Sequence, residues 1–220
     1  MDNEADVEEH HETESTGSDE VPIQFTDLPV DVLRVIVDLG GYPLSHSLAA
    51  TSRHFYNVSR HLIYLGLNQE YSLKYYDDEA FRTVVHSRVE NPSKQLSLNL
   101  SECSNITDVS ALGGVHTLDL SECYDITDVS ALGGVHTLDL GRCYDITDVS
   151  ALGGVHTLDL SYCSNITDVS ALGGVHTLDL SECGMITDVS ALGGVHTLNL
   201  RGCENITDVS ALGGVYTLRR

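Results

Sequence analysis

From Leu98 to the C-terminus, apolar and polar positions recur with a strict period of twenty residues. In and just before the copy Leu118–Thr137, which reads LDLSECYDITDVSALGGVHT, the apolar residues are Val115, Leu118, Leu120, Cys123, Ile126, Val129 and Leu132. Only Leu118 and Leu120 alternate. Period two puts them on one face of a short strand and turns Thr117, Asp119 and Ser121 to the other. Thr127 or Asp128 is placed to cap a tight helical turn from Val129 to Leu132. Gly133-Gly134 is expected to supply the left-handed positions that end the turn and return the chain to the next strand.

Six copies follow one another. Ile, Thr-Asp, Val-Ser-Ala-Leu, Gly-Gly and Val repeat unchanged, as does the cysteine at 103, 123, 143, 163, 183 and 203. Seven apolar side chains cannot offset the entropy of ordering twenty residues, so a lone unit should not fold. Stacked units bury each other's faces and pair their strands. At about 4.8 Å per strand, six units form a parallel sheet roughly 25 to 30 Å across. The fold class expected is an α/β solenoid with the parallel sheet on its concave side. The pattern LxLxxCxxITDxxxL, carried by Leu118, Leu120, Cys123, Ile126, Thr127, Asp128 and Leu132, resembles the cysteine-containing class of leucine-rich repeats.

Four regions are expected: an acidic tail over 1–22, a helical segment over 23–64, a connector and N-terminal cap over 65–97, and the repeats over 98–220. In the helical segment Thr26 or Asp27 caps a first helix with Pro29 in its first turn. Leu28, Val32, Leu33, Ile36 and Leu39 lie at helical spacing before Gly40-Gly41. A second helix after Pro43 carries Leu44, Leu48, Phe55, Val58 and Leu62 on one face. Forty residues make a small core, which leaves apolar surface for a partner or for capping the first repeat strand. Leu28-Pro29, Asp31-Val32-Leu33, Ile36, Leu39, Leu48 and Ser52-Arg53-His54-Phe55 resemble an F-box, the helical motif that docks on the Skp adaptor of cullin-based ubiquitin ligases. That resemblance implies an adaptor-binding surface of Leu28, Pro29, Val32, Leu33, Ile36, Leu48 and Phe55. In the connector, Asp77 or Asp78 caps a helix with Phe81, Val84, Val85 and Val89 on its apolar side, ended by Asn91-Pro92. This helix is expected to cover the edge of the first repeat.

Charge then narrows the partners. The net charge is −22 over 220 residues, with nine acids and no Lys or Arg among residues 1–20, and sixteen acids against four arginines in the repeats. Such a surface repels phosphate, so nucleic acid is not expected as a partner, and a basic protein segment is. The tail, with Glu8, Glu9, Glu12 and Glu14, is too polar and self-repelling to build a core. No apolar run reaches membrane-spanning length, and no signal-peptide pattern is present. The chain is expected in the cytoplasm or nucleus of a eukaryotic cell, without a membrane partner.

Candidate chemistry lies in the repeated columns. The cysteines are twenty residues apart with no CxxC pair, which favours a buried reduced ladder over disulfides or zinc. His116, His136, His156, His176 and His196, followed by Tyr216, would stack if the strands are in register. A mixed His/Cys metal site is not expected, because the cysteine points inward and the histidine to the rim. The outward column Asn99, Asp119, Asp139, Asp159, Asp179, Asn199 brings carboxylates near 4.8 Å. They repel by about 1 to 3.5 kcal/mol per pair, which calls for solvation or a basic ligand. Ser, His and Asp occur in every unit, a pattern that describes a scaffold, and no enzyme, cofactor or resident metal is expected.

The units differ where the strand ends. Positions 102, 122, 142, 162, 182 and 202 read Glu, Glu, Arg, Tyr, Glu, Gly, and the pair after cysteine reads Ser-Asn, Tyr-Asp, Tyr-Asp, Ser-Asn, Gly-Met, Glu-Asn. Glu122, Tyr124, Asp119, Asp139, Arg142, Tyr144 and Tyr162 are therefore the candidates for binding a target protein. The two resemblances together, an F-box-like segment followed by leucine-rich repeats, imply a substrate receptor of a Skp–cullin–F-box ubiquitin ligase. The alternative is a repeat scaffold or decoy without ligase docking.

Overall fold

The computed structural model describes residues 65–89 and 91–220. The acidic tail, the two helices expected over 23–64, and the adaptor-binding candidates Leu28, Pro29, Val32, Leu33, Ile36, Leu48 and Phe55 lie outside the described residues. In chain order the elements are β1 (Leu65–Leu67), α1 (Gln69–Asp77), α2 (Glu79–Arg88), α3 (Pro92–Gln95) and β2 (Leu96–Asn99). Then come β3 (Thr117–Asp119), β4 (Thr137–Asp139), β5 (Thr157–Asp159), β6 (Thr177–Asp179), β7 (Thr197–Asn199) and β8 (Thr217–Arg219).

The eight strands form one parallel sheet in sequential order. Every strand from β3 on pairs with the residue twenty positions back, for example Leu118 with Leu138. The twenty-residue period thus becomes the register. The alternation holds: Leu118 and Leu120 are buried, while Thr117, Asp119 and Ser121 are half-buried on the outer face. Cys123, Ile126, Val129, Leu132 and Val135 complete the core of each unit, and the interior is continuous along the stack.

The return segment is a short 3-10 turn, Ser130–Gly134 in the second copy. Asp128 is its anchor, because its Oδ1 accepts the Ser130 N–H at 2.8 Å. The glycines do different work from that expected. The left-handed residues are Glu102, Glu122, Arg142, Tyr162, Glu182 and Gly202, with φ of 60° to 75°. They sit in the turn after each strand, where the Cys123 N–H closes onto the Leu120 carbonyl at 3.1 Å. Type II turns need φ > 0 at the third position. Gly-Gly serves close approach instead. A methyl group on Gly133 would run into the Ala151 carbonyl oxygen, and one on Gly134 would come within 3.3 Å of the Gly113 carbonyl oxygen. A return this short brings the backbones of neighbouring units together with no room for a Cβ.

The sheet has two strands more than the six counted from the repeats, β1 at one end and β8 at the other. Residues 65–95 cap the N-terminal end. Asn68 caps α1 by accepting the Tyr71 N–H, and Asp78 caps α2 by accepting the Phe81 N–H at 3.0 Å. Phe81, Val85 and Val89 are buried as expected of α2, while Val84 is exposed. Where β1 ends, the fully buried Ser72 of α1 carries the ladder on: its hydroxyl donates to the Leu67 carbonyl and accepts the Asn99 N–H at 3.0 Å. Among the described residues, no helix is long and apolar enough to cross a membrane.

Candidate functional site

Four columns run across the stack. The cysteine column is internal. From Cys123 on, each Sγ donates to a carbonyl of the preceding unit, Cys123 to Leu100 at 3.1 Å and Cys163 to Leu140 at 3.2 Å, while Cys103 donates to the Ser101 carbonyl of its own unit. All six thiols are free and buried. Burial pushes the Cys123 thiol up to about 11 and the Cys143 thiol up to about 12, so these groups stay protonated donors. At the first unit Gln69 of α1 closes the column, its amide donating to the Ser101 carbonyl at 2.7 Å and reaching Cys103 Sγ.

The outward aspartates are more tightly held than simple solvation would make them. Asp119 Oδ1 accepts both the N–H and the hydroxyl of Ser121, at 3.0 and 2.7 Å. Asp179 does the same with Ser181. At the ends Asn99 and Asn199 donate amide hydrogens to the carboxylates of Asp119 and Asp179. Asp139 has Gly141 two residues on, which offers its N–H at 2.9 Å and no hydroxyl. Burial, reinforced by Asp159, Asp119 and Asp179, raises its pKa to about 6.

The histidines stack as the register implies. Neighbouring rings from His116 to His196 lie 4.6 Å apart and within 12° of parallel, and Tyr216 continues the stack at 4.9 Å. Each Nδ1 is within 3.1 to 3.3 Å of the hydroxyl of the next residue, a threonine. Parallel rings aim their in-plane lone pairs side by side instead of converging them on one ion. Among the described residues, no group of three or more His, Cys, Asp or Glu side chains is placed to hold a metal. No hydrogen bond among the described residues joins a histidine to an aspartate or serine, so the repeated Ser, His and Asp are not assembled into a relay.

The turn after the strand is where units differ, and here the register assembles a surface. Glu122, Arg142 and Tyr162 occupy the same left-handed position in successive units, so their side chains leave the backbone side by side. Arg142 Nη1 pairs with Glu122 Oε1 at 2.6 Å, and its guanidinium carbon lies 5.3 Å from the centre of the Tyr162 ring. The other Glu122 oxygen accepts the Tyr124 hydroxyl at 2.9 Å. Tyr124 and Tyr144 stack with centroids 5.5 Å apart and planes 2° from parallel. The Tyr124 hydroxyl first, and then Arg142, holds the Glu122 carboxyl below the usual carboxylate range. The three tyrosines remain 40%, 41% and 43% exposed despite these contacts.

Five of the seven candidates, Glu122, Tyr124, Arg142, Tyr144 and Tyr162, are thus one mutually packed patch. Asp119 and Asp139 belong to the neighbouring strand column and close their own turns. Glu182 was not among the candidates. A Cβ on Gly202 would lie 2.6 Å from its Cδ, so the Glu182 carboxylate is folded over the glycine of the next unit, away from Tyr162. The visible sign was Gly202 itself, the only residue in the column without a side chain.

No family model and no curated protein matches the chain. Solved structures similar to part of it come from Listeria monocytogenes. An internalin, InlF, is 25% identical over 57% of this chain and 40% of its own, with a TM-score of 0.44. Internalin C2 is 22% identical over 56% of this chain and 68% of its own, with a TM-score of 0.31. The functional domain of InlJ, described as including a cysteine ladder, is 19% identical over 55% of this chain and 41% of its own, with a TM-score of 0.24. The chain therefore spans less than half the length of InlF and of the InlJ domain.

Proposed function

We propose that this protein is a non-catalytic interaction scaffold whose repeats bind a target protein through the face around Tyr124, Tyr144, Arg142 and Tyr162. The observation that carries the reading is that this exposed, prepacked aromatic and arginine cluster falls where the units stop being identical. Interfaces favour tyrosine and arginine as anchors, and the entropic cost of ordering them, largest for arginine, is here already partly met by their mutual packing. The finer reading rests on the F-box-like residues before the solenoid. In it Leu28, Pro29, Val32, Leu33, Ile36, Leu48 and Phe55 dock a Skp-type adaptor in the cytoplasm or nucleus of a eukaryotic cell. The repeats then hold the protein to be ubiquitinated, and catalysis is by proximity to the charged ubiquitin carrier.

Two experiments test the two levels. Tyr124→Ala with Tyr144→Ala should abolish capture of the target from a eukaryotic lysate by the full chain; capture at the wild-type level would sink the binding face. Leu28→Ala with Pro29→Ala should abolish co-purification with the Skp adaptor, and unchanged recovery would remove the ligase. The near-identity of the six units favours a second reading, a scaffold or decoy that binds without docking to a ligase. Target capture without adaptor recovery by the unmodified chain would select it.

A further inference from the structure

We infer that the Tyr162–Glu182 pair is a recognition site for an arginine side chain on a basic, extended segment of the partner. This rests on the reading of the strand-end face as the binding surface and names the chemistry it takes. The argument starts from an arrangement the molecule already contains. In the left-handed column Glu122, Arg142 and Tyr162 form a sequence of carboxylate, guanidinium and ring. Such a cation has a charge partner on one side and a π face on the other, and both attractions are available at a partly exposed site.

Beyond Tyr162 the column offers the mirror image of this arrangement, ring then carboxylate, with the middle member missing. Arg142 lies over one side of Tyr162, and the residue on the other side is Glu182. The Glu182 carboxylate is folded onto Gly202, where only a glycine leaves room for it. The ring and the carboxylate are therefore separated along the column, and among the described residues Glu182 has no ion-pair partner. A guanidinium laid against the open side of Tyr162 and bonded to Glu182 would mirror Glu122–Arg142–Tyr162 on the other side of the shared ring. Lysine fits less well, because a compact ammonium cannot lie flat on the ring and bond the carboxylate at the same time.

The surroundings select the rest of the segment. The repeats carry sixteen acids against four arginines, so a partner strand bearing further positive charge is drawn to this face and an acidic one repelled. The rings of Tyr144 and Tyr124 lie on the same face, one and two units toward the N-terminus from Tyr162, with short Ser104 and Ser164 at the corresponding positions on either side.

The test uses the full chain and a fluorescent nine-residue peptide with three arginines, alongside peptides with three lysines or three citrullines. The arginine peptide should bind severalfold more tightly than the lysine peptide, and the citrulline peptide should not bind. Tyr162→Asn, which suits a left-handed position, and Glu182→Gln should each weaken arginine-peptide binding about threefold to fivefold. The double variant should lose less than the product of the two. A matching loss in Asp208→Asn would indicate diffuse attraction and overturn the site, as would equal affinity for arginine and lysine peptides or no binding at all. Any of these results leaves the wider binding face standing if the Tyr124 and Tyr144 variant still loses its target. If that variant captures the target normally, the face itself fails.

Discussion

The interior of the stack and the turn at the end of each strand are built from the same twenty-residue unit, yet they obey opposite rules. Inside, Leu118, Cys123, Ile126 and Leu132 repeat unchanged, and each is buried against its own copy in the next unit. At position 122 and its equivalents the backbone repeats, with φ near 60°, while the side chain changes from Glu to Arg to Tyr. Every core position repeats, and so do exposed ones such as Ser130 and Ala131, but no change falls where a side chain has a neighbour on every side. The changes fall where only the backbone is fixed, and the register converts them into a row of chosen neighbours.

Breaking the interior should have the largest effect. Leu138→Ala, at a site 1% exposed, should cost about 2 to 5 kcal/mol in urea unfolding, while Tyr144→Ser should stay within about 0.5 kcal/mol. Equal losses would erase the distinction. The glycines sharpen it within a single letter. Gly153→Ala drives a methyl into the Ala171 carbonyl and should cost about 1 to 3 kcal/mol. Gly213→Ala, with nothing within 4 Å, should be neutral or stabilising by about 0.5 kcal/mol.

Acidity tests the outer columns. The Asp139 pKa is raised to about 6, so its contribution is fully present below the unfolded value near 3.9 and is lost as pH rises through 6. Asp139→Asn keeps an acceptor for the Gly141 N–H and should stabilise by about 1 kcal/mol at pH 7.5, with no gain at pH 4. Urea midpoints at the two pH values check this. The smallest effect belongs to the histidines. Burial and then its neighbours' charge lower the pKa of His176, whose favourable contribution is present above about 6.5 and lost as pH falls. Replacing His156 and His196 by Asn should move the His176 midpoint upward in an NMR titration.

How much of this was legible follows the same division. Strand, core and histidine stack were readable because a fixed period fixes the register, and alternation at Leu118 and Leu120 fixes the face. Of the two cap candidates, Thr127 and Asp128, it is Asp128 that holds the turn, through the Ser130 N–H, but from one residue before the N-cap position, which is Val129. The role of Gly133-Gly134 was not readable, since glycine answers both a left-handed dihedral and a close backbone contact. Only the distance to Ala151 separates the two. The left-handed column was hidden by Glu122, Arg142 and Tyr162, residues that turns of this kind seldom use. β1 and Ser72 lie outside the period, so no comparison between copies could reveal them.

The sequential parallel register makes the array a ruler. Each unit advances the sheet by one strand spacing, about 4.8 Å, and every column is continuous across every junction. Adding or removing twenty residues between β2 and β3 would leave each remaining contact with a counterpart. It would shift the tyrosine face relative to Gln69 and the N-terminal helices by one graduation. The distance between whatever is held at one end and whatever is held on that face can thus be reset in whole units, without redesigning either.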